Sequence, residues 1–197
     1  MKVIFLDFDG VLNSENWMKS RRDKYSMDDI HNQYPYYEID PEAVEKLNTI
    51  IKATGAKVVV SSTWRLGRTV ESLTQILEFQ GFIGEIIDMT PHHGSPKDIG
   101  YSIPRGCEID DWLKKKSFKR VNYSIAKQIE KLEKSEIKNF IILDDDTDML
   151  LAQREHFVNT SWRTGLTDED VEESINILNT PIERLYYDID WKVYDNL

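Results

Sequence analysis

Three short apolar runs each end in side chains that carry oxygen. Val3-Ile4-Phe5-Leu6 leads into Asp7 and then Asp9, Lys57-Val58-Val59-Val60 leads into Ser61-Ser62, and Phe140-Ile141-Ile142-Leu143 leads into Asp144-Asp145-Asp146. In an open parallel sheet the carboxyl ends of the strands face the ligand crevice. If these runs are such strands, Asp7, Asp9, Ser61 or Ser62, and Asp144 or Asp145 meet there although they lie far apart in sequence. Carboxylates a few ångström apart repel one another, and one must take up a proton unless a cation intervenes. Magnesium suits this setting, because it prefers oxygen ligands and tolerates one or two carboxylates beside water and substrate phosphate. The chemistry open to such a cluster is the holding of a phosphoryl group or a divalent cation.

The elements that must position these residues are legible as an alternation of apolar runs and helical patterns, the signature of an α/β fold with a mainly parallel sheet. A three-layer, Rossmann-like arrangement is expected. Strands covered on both faces read as unbroken β-branched runs, and the three runs above do so. Glu85-Ile86-Ile87-Asp88 and His156-Phe157-Val158 are weaker strand candidates. Asp40-Pro41 opens a helix, with Asp40 as cap and proline tolerated at the first position. Ala43, Val44, Leu47, Ile50 and Ile51 share one face of it, and Gly55 ends it. Further helices are expected at about 68–80, 106–116, 123–136 and 168–179, the last behind the acidic first turn Thr167-Asp168-Glu169-Asp170. Residues 13–39 hold Trp17, Arg21, Arg22, Tyr25, His31, Tyr34, Tyr36 and Tyr37 between the first strand and the first helix. A connection of that length reads as a functional flap rather than a plain link. Residues 180–197 form an aromatic tail.

Composition bounds the partners. With 25 Lys+Arg against 35 Asp+Glu, the 197-residue chain carries a formal charge of −10, which disfavours extensive contact with duplex nucleic acid. A hydrophobic fraction of 40% excludes a disordered chain. The single cysteine, Cys107, excludes an internal disulfide framework and a cysteine-rich zinc site. No run approaches about 18 apolar residues, and no secretory pattern opens the chain, so no membrane partner and a cytoplasmic location are expected.

Asp7-Phe8-Asp9-Gly10-Val11-Leu12 behind its apolar strand resembles the first motif of the haloacid dehalogenase (HAD) superfamily. Val58-Val59-Val60-Ser61 resembles the second, Arg105 the third, and Ile141-Ile142-Leu143-Asp144-Asp145 the fourth. A narrower resemblance is to the HAD phosphatase-like domains of bacterial and phage multidomain RNA-repair proteins. It rests on Ser61-Ser62-Thr63-Trp64-Arg65, Arg105-Gly106, Glu108-Ile109, Trp112-Leu113, the run from Ile142 to Met149, and Thr164-Gly165-Leu166-Thr167, and covers roughly residues 1–179.

The resemblance implies a magnesium-dependent phosphomonoester hydrolase of HAD fold, with a catalytic domain over 1–179 and residues 13–39 as a small cap or flap insertion. Asp7 would attack phosphorus to form an aspartyl-phosphate, and Asp9 would serve as general acid and then base. Gly10 would let the backbone turn beneath the phosphate, Ser61 would donate to a phosphoryl oxygen, and Arg105 would neutralise charge in the transition state. Mg2+ would bind the Asp7 carboxylate, the Asp9 carbonyl, and Asp145 or Asp144, with Asp145 preferred and Asp148 third. Ser62 rivals Ser61, and Lys97 rivals Arg105, since arginine stands where the superfamily more often has lysine. Ser62, Trp64, Arg65 and Arg21 are candidate substrate contacts. The partner would be a phosphorylated substrate, a nucleic-acid terminus among them. A metabolite or nucleotide phosphatase, a non-catalytic binding module on the same fold, and a phosphoacceptor receiver domain are the alternatives. The receiver is disfavoured because its acceptor aspartate belongs on a middle strand, where this chain has Ser61.

Plainer readings stand beside these. His92-His93 are adjacent in a Pro/Gly loop and point apart more readily than they share a metal. Lys114-Lys115-Lys116 with Lys119-Arg120 reads as a solvated face, Asp146 and Asp148 as helix-start acids, and Cys107 as a packing residue.

Overall fold

The apolar runs pair side by side in one five-stranded, all-parallel sheet. The computed structural model describes residues 1–94, 103–117 and 137–181. Its elements are β1 (Lys2–Leu6), α1 (Glu15–Lys24), α2 (Met27–Asn32), α3 (Pro41–Thr54), β2 (Lys57–Val60), α4 (Val70–Phe79), β3 (Ile86–Met89), α5 (Arg105–Ser117), β4 (Asn139–Asp144), β5 (Phe157–Asn159) and α6 (Asp168–Asn179). The strand order is β3-β2-β1-β4-β5. The chain thus moves outward from β1 on one side and then crosses to the other, which makes the carboxyl end of β1 a topological switch point. Leu6 pairs with Val60 on one side and Leu143 on the other, so Asp7, Ser61 and Asp144 follow in register.

Side chains alternate across each strand, and both sets are covered. Ile4, Leu6, Val58, Val60, Ile141 and Leu143 face a core shared with α3, α4 and α6. Val3, Phe5, Val59, Phe140 and Ile142 face Ile109, Trp112 and Leu113 of α5. These two cores lie between the three layers, helices, sheet and helix, and they explain why the central strands show no polar alternation.

The expected α3 is present, with Asp40 accepting from the Glu42 amide and Gly55 in the left-handed region at φ 66°. The helices expected near 68–80, 106–116 and 168–179 are α4, α5 and α6. The one expected at 123–136 lies outside the described residues, as do Lys97, Lys119, Arg120 and the tail beyond 181.

Residues 13–39, expected as a flap or small cap, hold regular structure. They form α1, α2 and a 3-10 turn at Tyr36–Glu38, with Ser14 and Ser26 capping the two helices. Tyr25 stacks on Tyr37 at 4.2 Å, Tyr37 meets Phe79 of α4 at 5.7 Å, and Trp17 is buried beneath. Among the described residues, no helix is long and apolar enough to cross a membrane.

Candidate active site

The carboxyl ends of β1 and β4 bring three acids together. Asp7, Asp144 and Asp145 each offer a carboxylate oxygen, and these oxygens all lie within 4.8 Å of one another. Asp7 follows β1 directly, its amide bonded to the Leu143 carbonyl at 2.9 Å. Only 7% of Asp7 and 1% of Asp144 is exposed. Burial pushes the Asp7 carboxyl up to about 6, against the pull of the Ser62 hydroxyl, Arg105 and the Phe8 amide. Burial, and after it the neighbouring Asp7 charge, pushes Asp144 up to about 8. Asp145 is raised as well, by burial first and by Asp146 second. Like charges crowded out of water hold their protons until a cation replaces them.

The turn after β1 is fastened on all sides. Leu12 and Asn13 donate their amides to the Phe8 carbonyl at 2.8 and 3.1 Å, and the Thr160 hydroxyl donates to the Gly10 carbonyl at 2.9 Å. Gly10 sits at φ +68°, and a Cβ there would fall 2.2 Å from Cγ of Asp145. Glycine is therefore required twice, for the backbone angle and for the space that Asp145 occupies. Asp9 points to the exposed side of this turn. Asn13 Nδ2 donates to it at 2.8 Å, and Trp64 Nε1 donates to its two oxygens at 3.0 and 3.1 Å.

Arg105 is the first residue of α5, and its guanidinium Nε lies 4.0 Å from Asp144 Oδ2. The start of α5 is pinned by Asp148, whose carboxylate accepts from the Arg105 amide at 2.7 Å, and by Gln153, which donates to the Gly106 carbonyl at 2.9 Å. Asp148 thus caps α5 from a distant segment, rather than opening a helix of its own or joining the acids. Asp146 is exposed, and its amide donates to Asp144 Oδ1 at 3.0 Å.

Several expected contacts fall elsewhere. The Ser62 hydroxyl, not that of Ser61, bonds to the Asp7 carboxylate; the buried Ser61 hydroxyl accepts from Thr90 at 3.4 Å. The backbone leaves its regular strand at this point, so strict alternation no longer assigns the inward hydroxyl. Arg65 is buried and fully engaged, which removes it as a substrate contact. It donates to the Thr90, Ser62 and Pro91 carbonyls at 3.0, 2.5 and 3.3 Å and to Glu108 at 2.5 Å. Arg21 likewise turns inward, onto the Tyr37 carbonyl at 3.1 Å and the Glu38 carboxylate.

Trp64 does line the site, packed on Phe8 at 5.3 Å. Asn13 is an organising residue that sequence reasoning passed over, and Glu108, named only as part of the resemblance, organises the site as the partner of Arg65. Only the short spacing from Asp9 to Asn13 offered a signal for the first, and none marked the pairing of Glu108 with Arg65.

His92 and His93 do point apart, toward Glu108 and Asp111, each at 3.3 Å. Lys114, Lys115 and Lys116 pair with Asp110, Asp111 and Asp88 at 2.5, 2.8 and 3.1 Å, a solvated and self-neutralised face.

The donor set fits a hard divalent cation. It is all carboxylate oxygen, and Asp144 Oδ2 is buried with no hydrogen-bond partner. Among the described residues it is the one cluster of acids, histidines and cysteines able to enclose an ion.

No curated relative and no solved structure matches the chain. Residues 3–171 match the model of a family described as the HAD domain in Swiss Army Knife RNA repair proteins. With that match over most of its length, and with the acid cluster at the strand ends where aspartyl-phosphate chemistry requires it, the chain belongs to this family of HAD domains and is a HAD-type phosphatase by class.

Proposed function

We propose that the protein hydrolyses phosphomonoesters at nucleic-acid ends through Asp7, in a cytoplasmic setting and with Mg2+ held by Asp7, Asp144 and Asp145. The observation that carries this reading is the pairing of a buried carboxylate, Asp7, with a partly solvated one, Asp9, two residues away on a rigid turn. One is shielded and fixed as a nucleophile; the other reaches the leaving group and solvent.

An Asp7 oxygen attacks phosphorus while the bond from phosphorus to the ester oxygen breaks, and Asp9 delivers its proton to that oxygen. Water then attacks the aspartyl-phosphate, Asp9 takes the water proton, and phosphate leaves with Asp7 restored as a carboxylate. On substrate binding the Ser62 hydroxyl turns its single proton from Asp7 to a phosphoryl oxygen, and Arg105 opposes the negative charge that builds on that group. Asn13 and Trp64 fix the direction of Asp9, so a proton moves at a set point rather than across a rotor. The bound cation supplies Lewis-acid polarisation of the phosphoryl oxygens and neutralises the crowded acids.

Residues 13–39 act as a small cap beside the site, leaving room for a large substrate. The family description supports a nucleic-acid end, and a net charge of −10 suits recognition of one terminal phosphate better than a long duplex footprint.

The test is a panel of 3′- and 5′-phosphorylated oligonucleotides, nucleotides, phosphopeptides and p-nitrophenyl phosphate, with Mg2+ and with a chelator. Turnover of a phosphorylated end that needs Mg2+ and vanishes in a folded Asp7→Asn variant is expected. Full turnover by that variant would refute the nucleophile, and a preference for free nucleotides would turn the reading to a metabolite phosphatase.

A further inference from the structure

One cavity adjoins the exposed side of Asp9, and a second adjoins the first at Tyr34 and Glu38. The first, of about 320 Å3, is walled by Asp9, Trp64, Arg68, Tyr34 and Glu38. The second, of about 550 Å3, is walled by Tyr34 and Glu38 again, with Arg22, His31, Met27 and Ile30. Two shared walls make them one track leading from the general acid across the face of α1 and α2.

The other tyrosines in segment 13–39 are consumed by packing. Tyr25 stacks on Tyr37, and Tyr36 lies 4.8 Å from Phe79. Tyr34 is the exception: it is 62% exposed, and among the described residues its ring meets no other ring. The charges along the track are also unevenly spent. Glu38 is neutralised by Arg21. Arg22 is exposed, and the Arg68 guanidinium lies 5.3 Å over the Trp64 ring; neither has a carboxylate partner among the described residues. In a protein of net charge −10, two arginines without a carboxylate partner among the described residues thus line this track.

We infer that this track seats a single, unpaired strand, with Tyr34 stacking a base near the terminal phosphate and Arg68 and Arg22 meeting the adjoining phosphodiesters. The inference rests on the phosphatase reading above and narrows its substrate class. A phosphopeptide would satisfy the arginines but leave Tyr34 idle. A base inside a duplex is already stacked on both faces and cannot reach that ring. Stacking on an aromatic side chain tolerates every base, so strandedness rather than sequence is selected.

The experiment measures kcat/KM of the full chain with Mg2+ on a phosphorylated single-stranded oligonucleotide, on the same phosphorylated end set at a nick inside a duplex, where its base is stacked on both faces, on a phosphopeptide and on p-nitrophenyl phosphate. The quantity read is the ratio of the oligonucleotide value to the p-nitrophenyl phosphate value. Tyr34→Ala is expected to lower that ratio on the order of tenfold and Tyr34→Phe to preserve it. Arg22→Ala, also at an exposed position, is expected to reduce the slope of log affinity against log salt by about 0.7, the loss of one phosphate contact.

If oligonucleotides are turned over but Tyr34→Ala leaves the ratio unaltered, or the end at the nick reacts as well as the free strand, the track is overturned while the phosphatase reading stands. If p-nitrophenyl phosphate is hydrolysed but no oligonucleotide is, or the phosphopeptide is preferred, the nucleic-acid reading falls and takes the track with it.

Discussion

Replacing Asp144 by Asn separates what the acid cluster does for catalysis from what it costs in stability. The Asp144 carboxyl is pushed from 3.8 up to about 8, by burial and then by the charge of Asp7. Between those two values the folded protein keeps a proton that the unfolded chain has released. Stability without a cation therefore falls as pH rises through that window, at up to about 1.4 kcal/mol per pH unit. Asn has nearly the same shape, can still accept from the Asp146 amide, and never ionises. From pH 5 to pH 8 in the presence of a chelator, the stability of Asp144→Asn relative to the parent is expected to improve by about 2 to 4 kcal/mol. The range lies below the full linkage value because Asp7 titrates in the same site and shares the proton. For a chain of this size that corresponds to a relative gain in Tm of roughly 5–15 °C between the two pH values. The assay is thermal unfolding of both proteins at pH 5 and pH 8, with chelator and with millimolar Mg2+. Mg2+ should raise the Tm of the parent at pH 8 and do little for the variant, which also loses turnover. A difference between the proteins that stays flat with pH, or an equal response to Mg2+, would refute the argument that crowded acids await a cation here.

Two further perturbations test neighbouring parts of the site. Gly10→Ala places a methyl group 2.2 Å from Cγ of Asp145 at a backbone angle of φ +68°, so Asp145 must move; a fall in Mg2+ affinity of at least tenfold by calorimetry is expected. Glu108→Gln strips the counter-charge from buried Arg65 and is expected to cost about 3 kcal/mol, read as a Tm lower by roughly 6–12 °C, with a loss of kcat because Arg65 also holds the Ser62 carbonyl.

How far the sequence discloses this arrangement depends on the kind of constraint. β1, β2 and β4 were legible because both faces of each are covered, which forces uninterrupted apolar residues. The ends of α3 were legible because Asp40 and Gly55 do local work that neighbours alone define. The acids of β1 and β4 could be paired from topology, since parallel strands share one crevice edge. By contrast, α1 buries only Trp17 and Arg21 and α2 only Ile30, too few residues to print a helical stripe, and the caps Ser14 and Ser26 are their faint signs. Arg65 read as a pocket residue because its partner Glu108 stands 43 positions away, on a helix whose docking no local pattern reveals. That Ser62 rather than Ser61 bonds to Asp7 goes with a bend in the backbone just past the last residue of β2, which no residue pattern announces.

The central place of β1 also governs when the site can come into being. During synthesis β1 can zip to β2, and β2 to β3, once the chain through Met89 has emerged. The other flank of β1 stays an open edge until Asn139–Asp144 arrives, and only then do Asp144 and Asp145 reach Asp7. The nascent half-sheet consequently exposes a bare strand for the interval in which the intervening residues are made, a stage at which edge pairing with other chains competes with completion. Competence for chemistry and protection of that edge are thus delivered by the same docking event.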